Sequence, residues 1–126
     1  VKVAVTSKGP DLASQVDLCF GRASCFVLVD TESGKTSVRS NLGSRRTAHA
    51  AGIQAAGALI GMGVDAVITG RIGPKAFGTF QAAQVEVYAV TSATVNEVIE
   101  KLQSARLHPL AQANAQEHWN EESKHA

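Results

Sequence analysis

The spacing of the β-type segments constrains this chain most. Val1-Lys2-Val3-Ala4-Val5-Thr6 alternates with period two and is rich in β-branched residues, which marks a first strand. Cys25-Phe26-Val27-Leu28-Val29-Asp30 is a near-continuous apolar run, as in a buried strand. Thr31-Glu32-Ser33-Gly34 reads as a hairpin turn, and the polar segment Lys35 to Ser40 as a third strand at a sheet edge. Asp65 to Thr69 and Val85 to Val90 are the fourth and fifth strands, and each follows a helix-length segment. Antiparallel neighbours need only short connections, whereas parallel neighbours need a crossover, which is right-handed. The first three strands therefore meander, and the last two join through helices. With strand one beside strand four, the expected fold is α/β: a five-stranded mixed sheet in the order 3-2-1-4-5 with three helices.

The first helix is expected from about Thr47 to Met62, with Ile53, Ala56 and Ile60 on one stripe. Its Gly52, Gly57 and Gly61 each cost roughly 1 kcal/mol of helix propensity against Ala, which close packing on a sheet would offset. Gly73-Pro74 starts the second helix, with proline at the first helical position and Phe77 and Phe80 turned to the core. Thr94-Val95-Asn96-Glu97 is a capping box that opens the third, whose buried face carries Val95, Val98, Ile99 and Leu102. Residues 1–106 make one domain. From about residue 107 the composition turns to Pro, Gln, Asn, Glu and Ala, so 107–126 is expected to be a poorly ordered tail. Trp119 is the exception there, and either docks on the body or marks a partner contact.

Composition removes several classes of function. The formal net charge of +1 and the 5% aromatic content give no general argument for nucleic acid or for a membrane surface. No apolar run approaches the ~18–20 residues needed to span a bilayer, and no leader-like h-region opens the chain. A cytoplasmic monomer is the expectation. The two cysteines, Cys19 and Cys25, make neither a disulfide framework nor a common zinc spacing.

The strand directions gather one set of loops. The ends of strands one, three, four and five share an edge with the start of strand two. That edge collects Ser7-Lys8, Phe20 to Ala23, Asn41 to His49, Gly70 to Lys75 and Thr91 to Thr94, together with all three helix N-termini. Ligands of open α/β sheets bind outside the carboxyl ends of the parallel strands. Lys8, Arg22, Arg45, Arg46, Arg71 and Lys75 lie on this rim, six of the chain's twelve basic residues. Helix-start amides add positive potential and donors, so the rim favours an anion of modest size. Catalytic machinery is lacking by comparison. Asp30 and Asp65 fall at the opposite edge, His49 is the lone histidine of the body, and neither a dinucleotide nor a Walker fingerprint occurs. The chain is therefore not expected to be an enzyme. A hydrolase of phosphorylated substrates, using the rim as its oxyanion site, is the weaker alternative.

Three stretches resemble the dinitrogenase iron–molybdenum cofactor biosynthesis family: Val3-Ala4-Val5-Thr6, Phe20-Gly21-Arg22-Ala23 with Phe26 to Asp30, and Gly63-Val64-Asp65-Ala66-Val67-Ile68-Thr69-Gly70-Arg71-Ile72-Gly73-Pro74-Lys75-Ala76. The last is the most specific, and the likeness covers roughly residues 1 to 106. It implies a ribonuclease H-like fold without nuclease activity that handles metal–sulfur cofactors. A short chain with Cys19 where relatives often carry histidine most resembles a family member that holds a molybdenum–copper sulfide cluster. The alternative cargo is an iron–molybdenum–sulfur precursor, delivered by a chaperone to an acceptor protein. The start of the first helix, Thr47 to Gly52, also departs from the Gly-rich start of many relatives.

On that resemblance, Arg22, Arg71 and Lys75 supply charge to an anionic cluster that carries its own sulfides. Gly70, Gly73 and the second helix start admit backbone closely. Phe20, Ile72 and Ala48 offer apolar contact, and Gly21 and His49 complete the set. Cys19 is the soft donor if Cu(I) is ligated directly.

Overall fold

A computed structural model describes residues 1–41 and 51–115, with the side chain of Ala51 excepted. The strands are β1 (Lys2–Ser7), β2 (Cys25–Asp30), β3 (Thr36–Ser40), β4 (Ala66–Thr69) and β5 (Glu86–Ala89). They form one five-stranded sheet in the order β3-β2-β1-β4-β5. β1 runs antiparallel to β2, from Lys2 opposite Asp30 to Ser7 opposite Cys25, and parallel to β4, with Val3 opposite Ala66. β3 is antiparallel to β2, and β5 is parallel to β4. The arrangement is the mixed sheet that the connection lengths imply. Of the two outer strands of the meander, β1 is buried on both faces while β3 is exposed along its length, so the crossover partner joins at β1.

Alternation along the strands makes two cores. Ala4, Phe26, Val67 and Val87 face the helices α1 (Ala51–Gly61) and α2 (Pro74–Ala82), while Val3, Val5, Val27 and Ile68 face α3 (Val95–Gln103). Phe20, Phe26 and Phe80 knit the first core, with Phe20 edge-on to Phe80 at a ring-centroid distance of 5.3 Å. One expectation fails here. The buried stripe of α1 is Ala55, Ala56 and Leu59, with Ile60 packed against it, while Ile53 is 38% exposed. Small alanines let α1 sit close to α2, where a β-carbon on Gly52 would stand 3.3 Å from that of Ala76. A stripe through Ile53 would hold the two helices further apart. The start of the first helix, Thr47 to Ala50, lies outside the described residues.

Two irregular segments complete the body. The loop after β1 folds back across the carboxyl ends of the sheet: Lys8 N–H donates to Gln15 O at 2.9 Å, and Val16 N–H to Ala93 O at 2.9 Å. The buried Thr6 hydroxyl, 2.9 Å from the Thr69 hydroxyl, donates to Asp17 O at 2.6 Å and ties that loop down. Residues 107–115 run along the outer margin of β5. Pro109 bridges to Tyr88, Leu110 N–H donates to Val87 O at 2.7 Å, and Leu110 and Ala113 pack on the first core. Residues 116–126 of the expected tail, with Trp119, lie outside the described residues. No helix among the described residues is long and apolar enough to cross a membrane.

Candidate functional site

The loops at the carboxyl ends of β1, β4 and β5 pack as a layered rim. After β4 the chain bends at Gly70, bridges at Arg71 and is extended at Gly73. Arg71 N–H donates to Leu18 O at 2.7 Å, and Phe20 N–H to Arg71 O at 3.0 Å, so Leu18–Phe20 and Arg71 pair as a short parallel bridge at Cys19. Phe20-Gly21-Arg22 is a single 3₁₀ turn. Asn41, buried just past β3, holds that turn: its amide donates to Ala23 O at 2.9 Å and Gly21 O at 3.3 Å. On the other side of the β4 loop, the Asn114 amide donates to Gly70 O at 2.8 Å while its carbonyl accepts Ile72 N–H at 2.9 Å. Gly70 is buried where no side chain fits, since a β-carbon there would lie 2.7 Å from the Cα of Leu18.

The expected site residues separate into two groups. Arg22, Arg71 and Lys75 are exposed, and Cys19, Gly21 and Gly73 are half-buried, all on the paired loops. Phe20 and Ile72, at 2% and 1% exposure, are buried in the first core and anchor the loops. The apolar surface beside the basic groups belongs to Leu18, which is 40% exposed and carries no sequence signal beyond its neighbour Cys19. Asn41 and Asn114 were equally silent in sequence, because an amide that holds loop backbone follows no spacing rule. Ala48, His49, Arg45 and Arg46 lie outside the described residues.

Charge on the rim is distributed unevenly. The carboxylates nearby are engaged with local backbone: Asp17 accepts Cys19 N–H at 3.3 Å, Asp11 accepts Ala13 N–H at 3.0 Å, and Glu97 accepts Thr94 N–H at 2.9 Å. The Thr94 N–H, and next the Thr94 hydroxyl, pull the Glu97 carboxyl below its ordinary value. Among the described residues neither Arg22 nor Lys75 forms an ion pair. α2 begins at Pro74 behind Gly73 with no side-chain cap, and its first intrahelical bond runs from Phe77 N–H to Gly73 O at 3.0 Å. The Lys75 and Ala76 N–H groups therefore precede the helix ladder at the positive end of the helix.

The cysteines differ in kind. Cys25 is a hydrogen-bonded thiol, donating to Gly9 O at 3.2 Å, rather than a simple hydrophobe. Burial, and next the Asp17 charge, raise its pKa. Cys19 sits at the bridge between the two site loops. No group of three His, Cys, Asp or Glu that could hold a metal ion occurs among the described residues. Asp30 and Asp65 sit at the far edge, where Asp65 accepts Lys2 N–H at 2.8 Å and Asp30 accepts Glu32 N–H at 2.9 Å in the hairpin turn.

Sheet and rim together define an α/β binding domain with a cationic loop face. More particularly, the chain belongs to the dinitrogenase iron–molybdenum cofactor family, whose model matches residues 1–105. Among solved structures it is similar to the apo form of the orange protein from Desulfovibrio gigas, with 36% identity and a TM-score of 0.87 over 90% of this chain and 95% of that one. It is also similar to a putative NifB protein from Thermotoga, with 38% identity and a TM-score of 0.78 over 88% and 94% of the two chains. An uncharacterized protein of Methanocaldococcus jannaschii is 30% identical over 90 residues, 70% of this chain and 76% of that protein. The family's description names an iron–molybdenum cofactor.

Proposed function

We propose that the chain is a carrier, not a catalyst, which holds an anionic molybdenum–copper sulfide cluster non-covalently as cargo on the rim, as a monomer in the cytoplasm. The observation that carries this reading is the pairing of the Leu18–Arg22 and Gly70–Lys75 loops. Arg22 and Arg71, both exposed, lie on these paired loops, and exposed Lys75 follows in the uncapped first turn of α2. A cluster capped by its own sulfides needs cations, N–H donors and an apolar wall rather than a set of protein ligands. The rim offers the first two, and Leu18 offers the third. Cys19 is the one soft donor on the paired loops and adds a bond if Cu(I) is reached.

The test is reconstitution. Apo-protein mixed with tetrathiomolybdate and Cu(I) should elute from gel filtration as a coloured complex with molybdenum and copper in the protein peak. Complete loss of molybdenum under mild conditions refutes carriage. The Arg71→Ala/Lys75→Ala double variant should retain less metal, and unchanged retention would move the site off this rim.

The family description favours a second cargo, an iron–molybdenum–sulfur precursor passed to an acceptor protein. Metal analysis of natively purified protein separates the two, since iron in place of copper selects the delivery role.

A further inference from the structure

The β4 loop is gripped from two sides, and the outer grip comes from a segment past the last residue of the family match. Arg71 bonds inward to Leu18 and Phe20. Gly70 and Ile72, the residues to either side of it, bond outward. Asn114 takes the Gly70 carbonyl at 2.8 Å and the Ile72 N–H at 2.9 Å through one side-chain amide, and Ala115 N–H donates to Ile72 O at 3.2 Å. An amide that gives one donor and one acceptor to residues two apart acts as a neighbouring strand does, at a place where the sheet has already ended. The segment that carries it is itself fixed along β5 through Pro109 and Leu110.

From this double grip we infer that Asn114 is a positioning residue for the rim: it fixes the stretch that presents Arg71 and leads into the start of α2, so that docking of residues 107–115 and occupancy of the rim are coupled. This deepens the cargo reading and rests on it for its ligand, though the grip itself does not. Coupling of this kind is reciprocal. If the docked segment favours the bound cluster, the cluster must equally hold the segment in place.

Two measurements test it. In apo-protein, hydrogen exchange at the Ile72 and Ala115 amides should be faster in Asn114→Ala than in wild type, with Leu28 in the interior strand β2 unchanged. Equal rates at Ile72 would show that Asn114 does not hold the loop and would overturn the inference whatever the cargo. In the second arm the probe is tetrathiomolybdate with Cu(I). Asn114→Ala should bind it about tenfold more weakly, as loss of two neutral hydrogen bonds implies. In wild type, the probe should slow exchange at Leu110 and Ala115, and in Asn114→Ala it should not. Wild-type affinity in a variant whose Ile72 exchange is accelerated would overturn the coupling. Failure of wild type itself to bind the probe would instead sink the cargo reading, and leaves the apo exchange to decide the role of Asn114.

Discussion

Position 70 shows how little freedom the site has at the scale of single residues. A methyl group there would meet the Cα of Leu18 at 2.7 Å and its carbonyl oxygen at the same 2.7 Å, and backbone cannot rotate aside as a side chain can. Gly70→Ala must push the two site loops apart. The expected cost is about 1–3 kcal/mol, in the range of overpacked cores, together with loss of cluster retention, read by urea denaturation and by the reconstitution assay. The cysteines separate by environment. Cys25→Ser keeps a donor for Gly9 O and should bind like wild type. Cys19→Ser removes the soft sulfur and should bind with reduced affinity and a similar absorption spectrum. Complete loss of the coloured complex in folded Cys19→Ser protein would make that thiolate an obligatory ligand. The motif around Gly70, Arg71 and Lys75 marked the strand–loop–helix on which the structure places them. It did not reveal that Phe20 and Ile72 would be buried as anchors, because a hydrophobe in a loop looks the same whether it faces solvent or core.

Elements were legible where periodicity and connection length act together. The strand order followed from which linkers could hold a helix, and the α3 start followed from a capping box that forms as written, with Glu97 N–H donating to the Thr94 hydroxyl at 3.3 Å. Segments without a period were not legible: the loop 8–18 is held by bridges such as Ser7–Val16 and Gln15–Thr94, which depend on neighbours distant in sequence. β5 carries a titration that the fold creates. The Tyr88 phenol donates to Glu86 Oε2 at 2.7 Å, and burial first, then Glu86, push its pKa from 10.0 up to about 12. The folded chain thus keeps a proton that the unfolded chain releases. Its contribution is whole below pH 10.0 and is lost as pH rises through that value toward 12. Tyr88→Phe should flatten this alkaline decline in stability, measured as the denaturation midpoint between pH 9 and about 11.

For the molecule as a whole the net charge is only +1, and exposed Arg22, Arg71 and Lys75 lie on loops at one end of the sheet. Charges at an exposed rim are screened over ~8 Å at physiological ionic strength, so cluster binding should weaken as salt is raised. Arg22→Ala should reduce that salt dependence as well as the affinity. A salt-independent affinity would assign the binding to ligation or packing instead. The sheet's two margins differ too. β5 is covered by Pro109 and Leu110, while β3, exposed along its whole length, has no further strand beside it among the described residues. A sheet with one open margin is monovalent: margin-to-margin pairing closes at two chains and cannot propagate. Without residues 107–115 the same sheet would be divalent, the minimum for an open-ended fibre. Among the described residues, the segment that braces the rim is therefore also a chain terminator in the polymer sense, since it closes one of the two margins through which backbone pairing could propagate.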